Sequence, residues 1–83
     1  MFKISFKKSV AKDLKKISKD QVIKILDKIE TNLSTSPEQF PELKGKFAGL
    51  RKYRVGNYRI IFVILEENTV LITRVKHRKE SYK

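Results

Sequence analysis

The ten residues Arg74-Val75-Lys76-His77-Arg78-Lys79-Glu80-Ser81-Tyr82-Lys83 gather five Lys/Arg, the single His of the chain, a phenol and one acid. Chemistry on a phosphate needs cations to hold the anion and groups that carry protons. An apolar run precedes these residues, so the end of a strand would present them. A second basic set, Arg51, Lys52, Arg54 and Arg59, flanks Gly56-Asn57, a pair suited to a two-residue hairpin turn because both residues tolerate positive φ.

The chemistry such a set can perform is metal-free phosphoryl transfer on RNA. The 2′-hydroxyl attacks the adjacent phosphorus, so the protein supplies no nucleophile. It must take one proton, give one, and stabilise added charge on the phosphate oxygens. Arg51, Arg54, Arg59 and Arg78 offer permanent forked cations that match phosphate geometry. A lysine such as Lys52, crowded by other cations, is biased toward the neutral form that a base needs. Histidine titrates near neutrality, so His77 is a candidate acid or base. Tyr82 could stack on a base or place the phosphate. Each residue also has a purely structural use. Arg59 could pair with an acid, Lys52 and Arg54 could be wet-face strand residues, His77 a satisfied strand end and Tyr82 a packing ring.

Other chemistries find little support in the residues. His77 has no second His or Cys near it, and Glu66, Glu67 and Glu80 are the acids of the second half, too few to hold two cations. No Gly-framed Ser and no phosphate-cradling glycine loop are present. The expectation is an enzyme without metal or cofactor.

The elements that must position these groups are legible as periodicities. Phe2, Ile4 and Phe6 alternate with Lys3 and Ser5, which predicts a strand over 2–6. From Ser9, Val10, Leu14 and Ile17 form a helical stripe. Ser18 or Asp20 can cap a second helix, in which Val22, Ile25, Leu26, Ile29 and Leu33 share a face. Pro37 disfavours helix in the residue before it and ends that run. Residues 37–49 read as a loop anchored by Phe40, Leu43 and Phe47. Strands are expected over 50–55, 58–65 and 70–75, the middle one central because its apolarity is nearly continuous. The order β-α-α-β-β-β predicts one α+β domain over residues 1–83, a two-helix hairpin on a small, twisted, mainly antiparallel sheet. The helices should cover one sheet face and leave Lys52, Arg54, Arg59 and the residues after Val75 on the other, a bed for a single-stranded backbone.

Charge points to the partner. The net charge is +11, from 20 Lys/Arg against 9 Asp/Glu, which for one small domain implies a polyanion such as nucleic acid or the ribosome. The excess is uneven: residues 20–43 hold five acids against two lysines, while 1–19 and 44–59 are basic. With no cysteine, disulfides and thiolate metal sites are excluded. No run approaches a membrane span and the start lacks a signal-peptide apolar core, so a soluble, cytoplasmic protein that binds no membrane is expected.

Leu50-Arg51-Lys52-Tyr53-Arg54-Val55-Gly56-Asn57-Tyr58-Arg59-Ile60-Ile61-Phe62 resembles the hairpin of the RelE/ParE toxin superfamily, where an "LR…RVGDYR" pattern leads into a long apolar strand. Val75-Lys76-His77-Arg78-Lys79-Glu80-Ser81-Tyr82 resembles the "HRKDxY" ending of RelE-like members, and Leu43-Lys44-Gly45 the "LKG" before the hairpin. The resemblance extends over essentially the whole chain. It implies the toxin of a type II toxin–antitoxin pair, a metal-independent mRNA interferase that cuts mRNA in the ribosomal A site and leaves a 2′,3′-cyclic phosphate. Its implied partners are mRNA, the small ribosomal subunit and a cognate antitoxin, RelB-like or another small acidic protein. The resemblance gives catalytic places to Lys52 (or Arg54), Arg59, Arg78 and Tyr82, with His77 where some members carry Lys. Lys44, Lys46, Arg51, Arg54, Arg74, Lys76 and Lys79 would contact RNA or ribosome. The reading requires Lys52, Arg59, Arg78 and Tyr82 to converge. The alternatives are a ParE-like inhibitor of DNA gyrase and a non-catalytic RNA- or ribosome-binding module.

Overall fold

The computed structural model describes residues 1–43, 45 and 49–79. The elements in chain order are β1 (Lys3–Phe6), α1 (Lys8–Lys15), α2 (Lys19–Leu33), a short 3-10 helix (Pro37–Gln39), β2 (Leu50–Val55), β3 (Tyr58–Leu65) and β4 (Thr69–His77). The expected order β-α-α-β-β-β is the one observed.

The sheet runs β1-β4-β3-β2, with β1 parallel to β4 and the other neighbours antiparallel. Ile25, Ile29 and Leu33 recur every fourth residue of α2, and this stripe is buried with Val10 of α1. They pack on Ile60 and Phe62 of β3 and on Val70, Ile72 and Val75 of β4. Phe62 is fully buried at the centre, a placement that stabilises by about 1.5–3 kcal/mol.

Two expectations are refined. The last strand continues through His77 rather than stopping at Val75, because the eight residues of β3 pair along their whole length, from Tyr58↔His77 to Leu65↔Thr69. Arg74, Lys76 and His77 therefore belong to a strand, not to a tail behind one. The apolar run of β3 is also less enclosed than its composition suggests. Ile60 and Phe62 are buried, Ile61 and Val63 half-buried, and Leu65 is exposed.

β4 outruns its neighbour. β1 pairs only with Thr69 to Ile72, and one extra residue, Thr73, bulges between the partners of Ile61 and Phe62. Beyond that point the start of α1 covers the edge. The Lys7 N–H donates to the Ile72 carbonyl (2.9 Å) and the Ser9 hydroxyl to the Thr73 carbonyl (2.7 Å), while the Val75 N–H donates to the Asp13 carboxylate (2.9 Å). The outer edge of β2 is covered as well: the Leu43 N–H donates to the Leu50 carbonyl and the Lys52 N–H to the Pro41 carbonyl.

Candidate phosphate-binding face

Side chains alternate across a strand, and directly paired residues share a face. Register therefore sorts every candidate residue. Tyr53, Ile60 and Val75 form one rung on the helix-covered side. The next rung, Arg54–Arg59–Lys76, lies on the open side and sets three cations side by side across three strands. Lys52 shares that side, paired with Ile61, which in turn pairs with Arg74. Lys52 and Arg59 are thus diagonal neighbours, a relation that spans roughly 7–8 Å between backbones.

Like charges placed opposite one another repel and cost stability. Arg54 is exposed and Lys76 half-exposed, but Arg59 is only 9% exposed. A guanidinium carries forked N–H donors whose geometry matches the oxygens of a bridging phosphate.

The remaining candidates are dispersed. His77 pairs with Tyr58 on the helix side, across the sheet from the cationic rung. The two rings meet edge to face, their centroids 5.4 Å apart. The His77 Nδ1 accepts the Lys79 N–H at 3.2 Å, so the neutral ring carries its proton on Nε2. This imidazole lines a pocket of about 110 Å³ with Asp13, Lys16 and Tyr58. Arg78 and Lys79 are exposed just after β4. The Arg78 N–H donates to the Asn57 carbonyl (2.8 Å), which ties Arg78 to the β2–β3 hairpin and so to the end of the sheet that carries Arg54 and Arg59. Lys44, Lys46 and Tyr82 lie outside the described residues.

Two arginines are occupied structurally. Arg51 donates to the Phe40 carbonyl (2.8 Å), the Glu38 carbonyl (3.1 Å) and the Glu42 carboxylate (3.2 Å), and so straps residues 38–42 to β2. Arg74 makes a two-pronged pair with Asp13, 2.9 and 2.8 Å. Asp13 is only 7% exposed. Burial pushes its carboxyl up, but the bonds from Arg74 and Val75 and the charges of Arg74 and Lys76 outweigh this and hold it below the ordinary value. The sequence reading gave Asp13 no role. Its signal was there: the one acid in residues 1–19 falls one residue before Leu14 of the apolar stripe, on a face that a solvated acid would avoid. Among the described residues, no helix is long and apolar enough to cross a membrane.

A family model described as the ParE toxin of the type II toxin–antitoxin system, parDE, matches residues 4–82. No curated protein matches. Among solved structures, a chain of the Mycobacterium tuberculosis RelBE2 toxin–antitoxin complex superposes with a TM-score of 0.86 at 29% identity, covering 93% of this chain and 91% of that one. A chain of the Methanococcus jannaschii RelB–RelE antitoxin–toxin complex gives 0.63 at 30% identity, with 94% of each chain covered. The isolated Escherichia coli RelE toxin shares the fold at 19% identity, with a TM-score of 0.71 over 99% of this chain and 96% of its own. With the β-α-α-β-β-β order, the matched hairpin and a match over nearly its whole length, the chain belongs to the RelE/ParE superfamily of type II toxin–antitoxin toxins.

Proposed function

We propose that this toxin is a metal-independent endoribonuclease that cleaves mRNA in the A site of the ribosome and so blocks translation in the cytoplasm. The observation that carries the reading is the Arg54–Arg59–Lys76 rung with Lys52 on its diagonal. Lys52 accepts the proton of the 2′-hydroxyl. The O2′–P bond forms, the P–O5′ bond breaks, and the departing 5′-oxygen takes a proton from solvent. The products are a 2′,3′-cyclic phosphate and a 5′-hydroxyl end. Arg59, flanked by Arg54 and Lys76, binds the phosphate oxygens, whose charge grows in the transition state. Arg78, at the same end of the sheet, supplies a further cation, and Tyr82, to which the family resemblance gives a place in the site, stacks on a base or positions the phosphate. His77 faces the other side of the sheet, so the proton is assigned to Lys52 and not to the imidazole. The Mycobacterium and Methanococcus relatives were solved in RelB–RelE complexes, which supports a RelB-like or other small acidic antitoxin as this toxin's partner.

The test is primer-extension mapping of mRNA in a reconstituted translation system. The native protein should produce discrete cuts in translated messages, and Lys52→Ala should slow cutting by about 10²–10⁴-fold while the fold, followed by circular dichroism, survives. A second reading has its own support, since the matching family model is that of ParE toxin. It predicts intact mRNA and accumulated gyrase–DNA breaks, an outcome that would overturn the nuclease assignment.

A further inference from the structure

His77, Arg78 and Lys79 follow one another where β4 leaves the sheet. Two bonds frame Arg78. Its own N–H donates to the Asn57 carbonyl at 2.8 Å, one step past the last strand pair, Tyr58↔His77. The N–H of the next residue, Lys79, donates to the His77 Nδ1 at 3.2 Å. That second bond joins an acceptor attached to Cγ of one residue to the N–H two residues on, which is the pattern of an Asx-turn. Here an imidazole stands in for the Asn or Asp that ordinarily makes it.

The ring is itself held in place. Tyr58 meets it edge to face, with centroids 5.4 Å apart and planes at 88°. Ile17 of the α1–α2 connection and Val75 line the same small pocket. A ring packed in this way offers its Nδ1 at one place, and the Lys79 N–H is drawn to it. The backbone of Arg78 therefore takes its orientation from both neighbours, the β2–β3 hairpin on one side and the His77 ring on the other. Arg78 is exposed. A long exposed side chain has large rotamer freedom, so a fixed backbone narrows where its guanidinium can reach.

We infer that His77 is a positioning residue for the cleavage reaction: its Nδ1 closes the turn that aims Arg78 at the scissile phosphate. The inference rests on the nuclease reading and goes beyond it, since that reading leaves the imidazole without a task. His77 faces the helix side of the sheet and exchanges no proton with RNA. It acts on the open side through one bond to the backbone. Arg78 is the group that touches the phosphate, and the geometry of residues 77–79 decides where its side chain starts. A misplacement of about 1 Å in a reacting site can cost about 10²-fold in rate, so one turn bond away from the chemistry is enough to matter. The role needs an acceptor at one position and no titratable group.

Three substitutions in the full-length toxin separate positioning from chemistry and from packing. His77→Asn gives up the ring and all proton transfer but keeps the acceptor, because its Oδ1 hangs on Cγ as Nδ1 does. His77→Phe keeps a ring against Tyr58 and has no acceptor. His77→Ala has neither. In the primer-extension assay His77→Asn should cut nearly as fast as the native protein. The Phe and Ala variants, shown by circular dichroism to be folded, should cut about 10–10²-fold more slowly. Hydrogen exchange followed by NMR should find the Lys79 amide about 2–10-fold faster in the Phe and Ala variants than in the native and Asn proteins, in line with the loss of one hydrogen bond. Equal slowing by Asn and Phe would make the imidazole itself a chemical group. A fully active Phe variant would make it a packing ring, and a Lys79 amide indifferent to Phe would mean that the turn bond is absent. Each of these overturns the inference and leaves the nuclease reading standing, whereas a native protein that cuts no message overturns both.

Discussion

Asp13 shows how a single side chain can do the work of a missing strand. β4 extends past the end of β1, and the Val75 N–H there would face the side of a helix. The Asp13 carboxylate receives that N–H and the Arg74 guanidinium together. Burial opposes its charge, but these donors and the nearby Lys76 more than compensate, so its carboxyl titrates below the ordinary range. A carboxyl depressed in the folded state contributes stability that is fully present above its unfolded value of about 3.9 and is lost as pH falls through the folded value. Asp13→Asn keeps the shape and an acceptor but loses the charge. At pH 7 it should cost about 1.5–3 kcal/mol, the range for a charge-assisted hydrogen bond. Melting curves at pH 7 and at pH 2.5 should show a gap between variant and native protein that narrows in acid. A gap of constant size would reject the assignment.

At the scale of elements, the two hairpins solve one geometrical problem differently. Gly56 takes φ +58° at the β2–β3 turn without strain, since it has no Cβ. The β3–β4 turn places Glu67 at φ +62° and Asn68 at φ +54°, two positive values in succession. Asn tolerates that region, but Glu does not. Glu67→Gly should therefore stabilise the fold by about 0.5–1 kcal/mol after the greater freedom of glycine in the unfolded chain is set against the relief. That is a rise of roughly 2–8 °C in the melting temperature of a domain this size, and an unchanged or lower value would show the turn to be unstrained. The Glu66-Glu67-Asn68 turn was legible because polar residues interrupt two apolar runs. Its strain was not, since φ is set by the register of the strands on either side. The same distinction holds for the site. Alternation in Lys52-Tyr53-Arg54 told which residues share a face, but the partner of each residue across the sheet depends on long-range pairing. Only that pairing carries the strand through His77, so that alternation turns His77 away from Lys76, and sets Arg59 between Arg54 and Lys76. Arg51 and Arg74 looked like contacts for RNA because composition counts cations without regard to the Glu42 and Asp13 that hold them.

For the molecule as a whole, the consequence of this sorting is that a net charge of +11 overstates the charge available to a polyanion. The protein has a cationic open face carrying Lys52, Arg54, Arg59 and Lys76, and, away from it, an apolar groove with an acidic rim. If these four cations contact phosphates, the logarithm of affinity for single-stranded RNA should fall with the logarithm of salt concentration with a slope of about −3, since each contact contributes about −0.7. Arg54→Ala should flatten the slope by about 0.7. Arg51→Ala, which removes the same charge from the adjacent region of β2, should leave the slope nearly unchanged and lower stability instead, because its guanidinium is already held by Glu42 and the carbonyls of Glu38 and Phe40. Anisotropy titrations of a labelled oligoribonucleotide between 50 and 200 mM salt, read beside thermal melts of both variants, separate local contact from diffuse charge. Equal flattening by the two substitutions would mean that RNA responds to total charge and not to the face, and the cationic rung would then lose its claim to be the site.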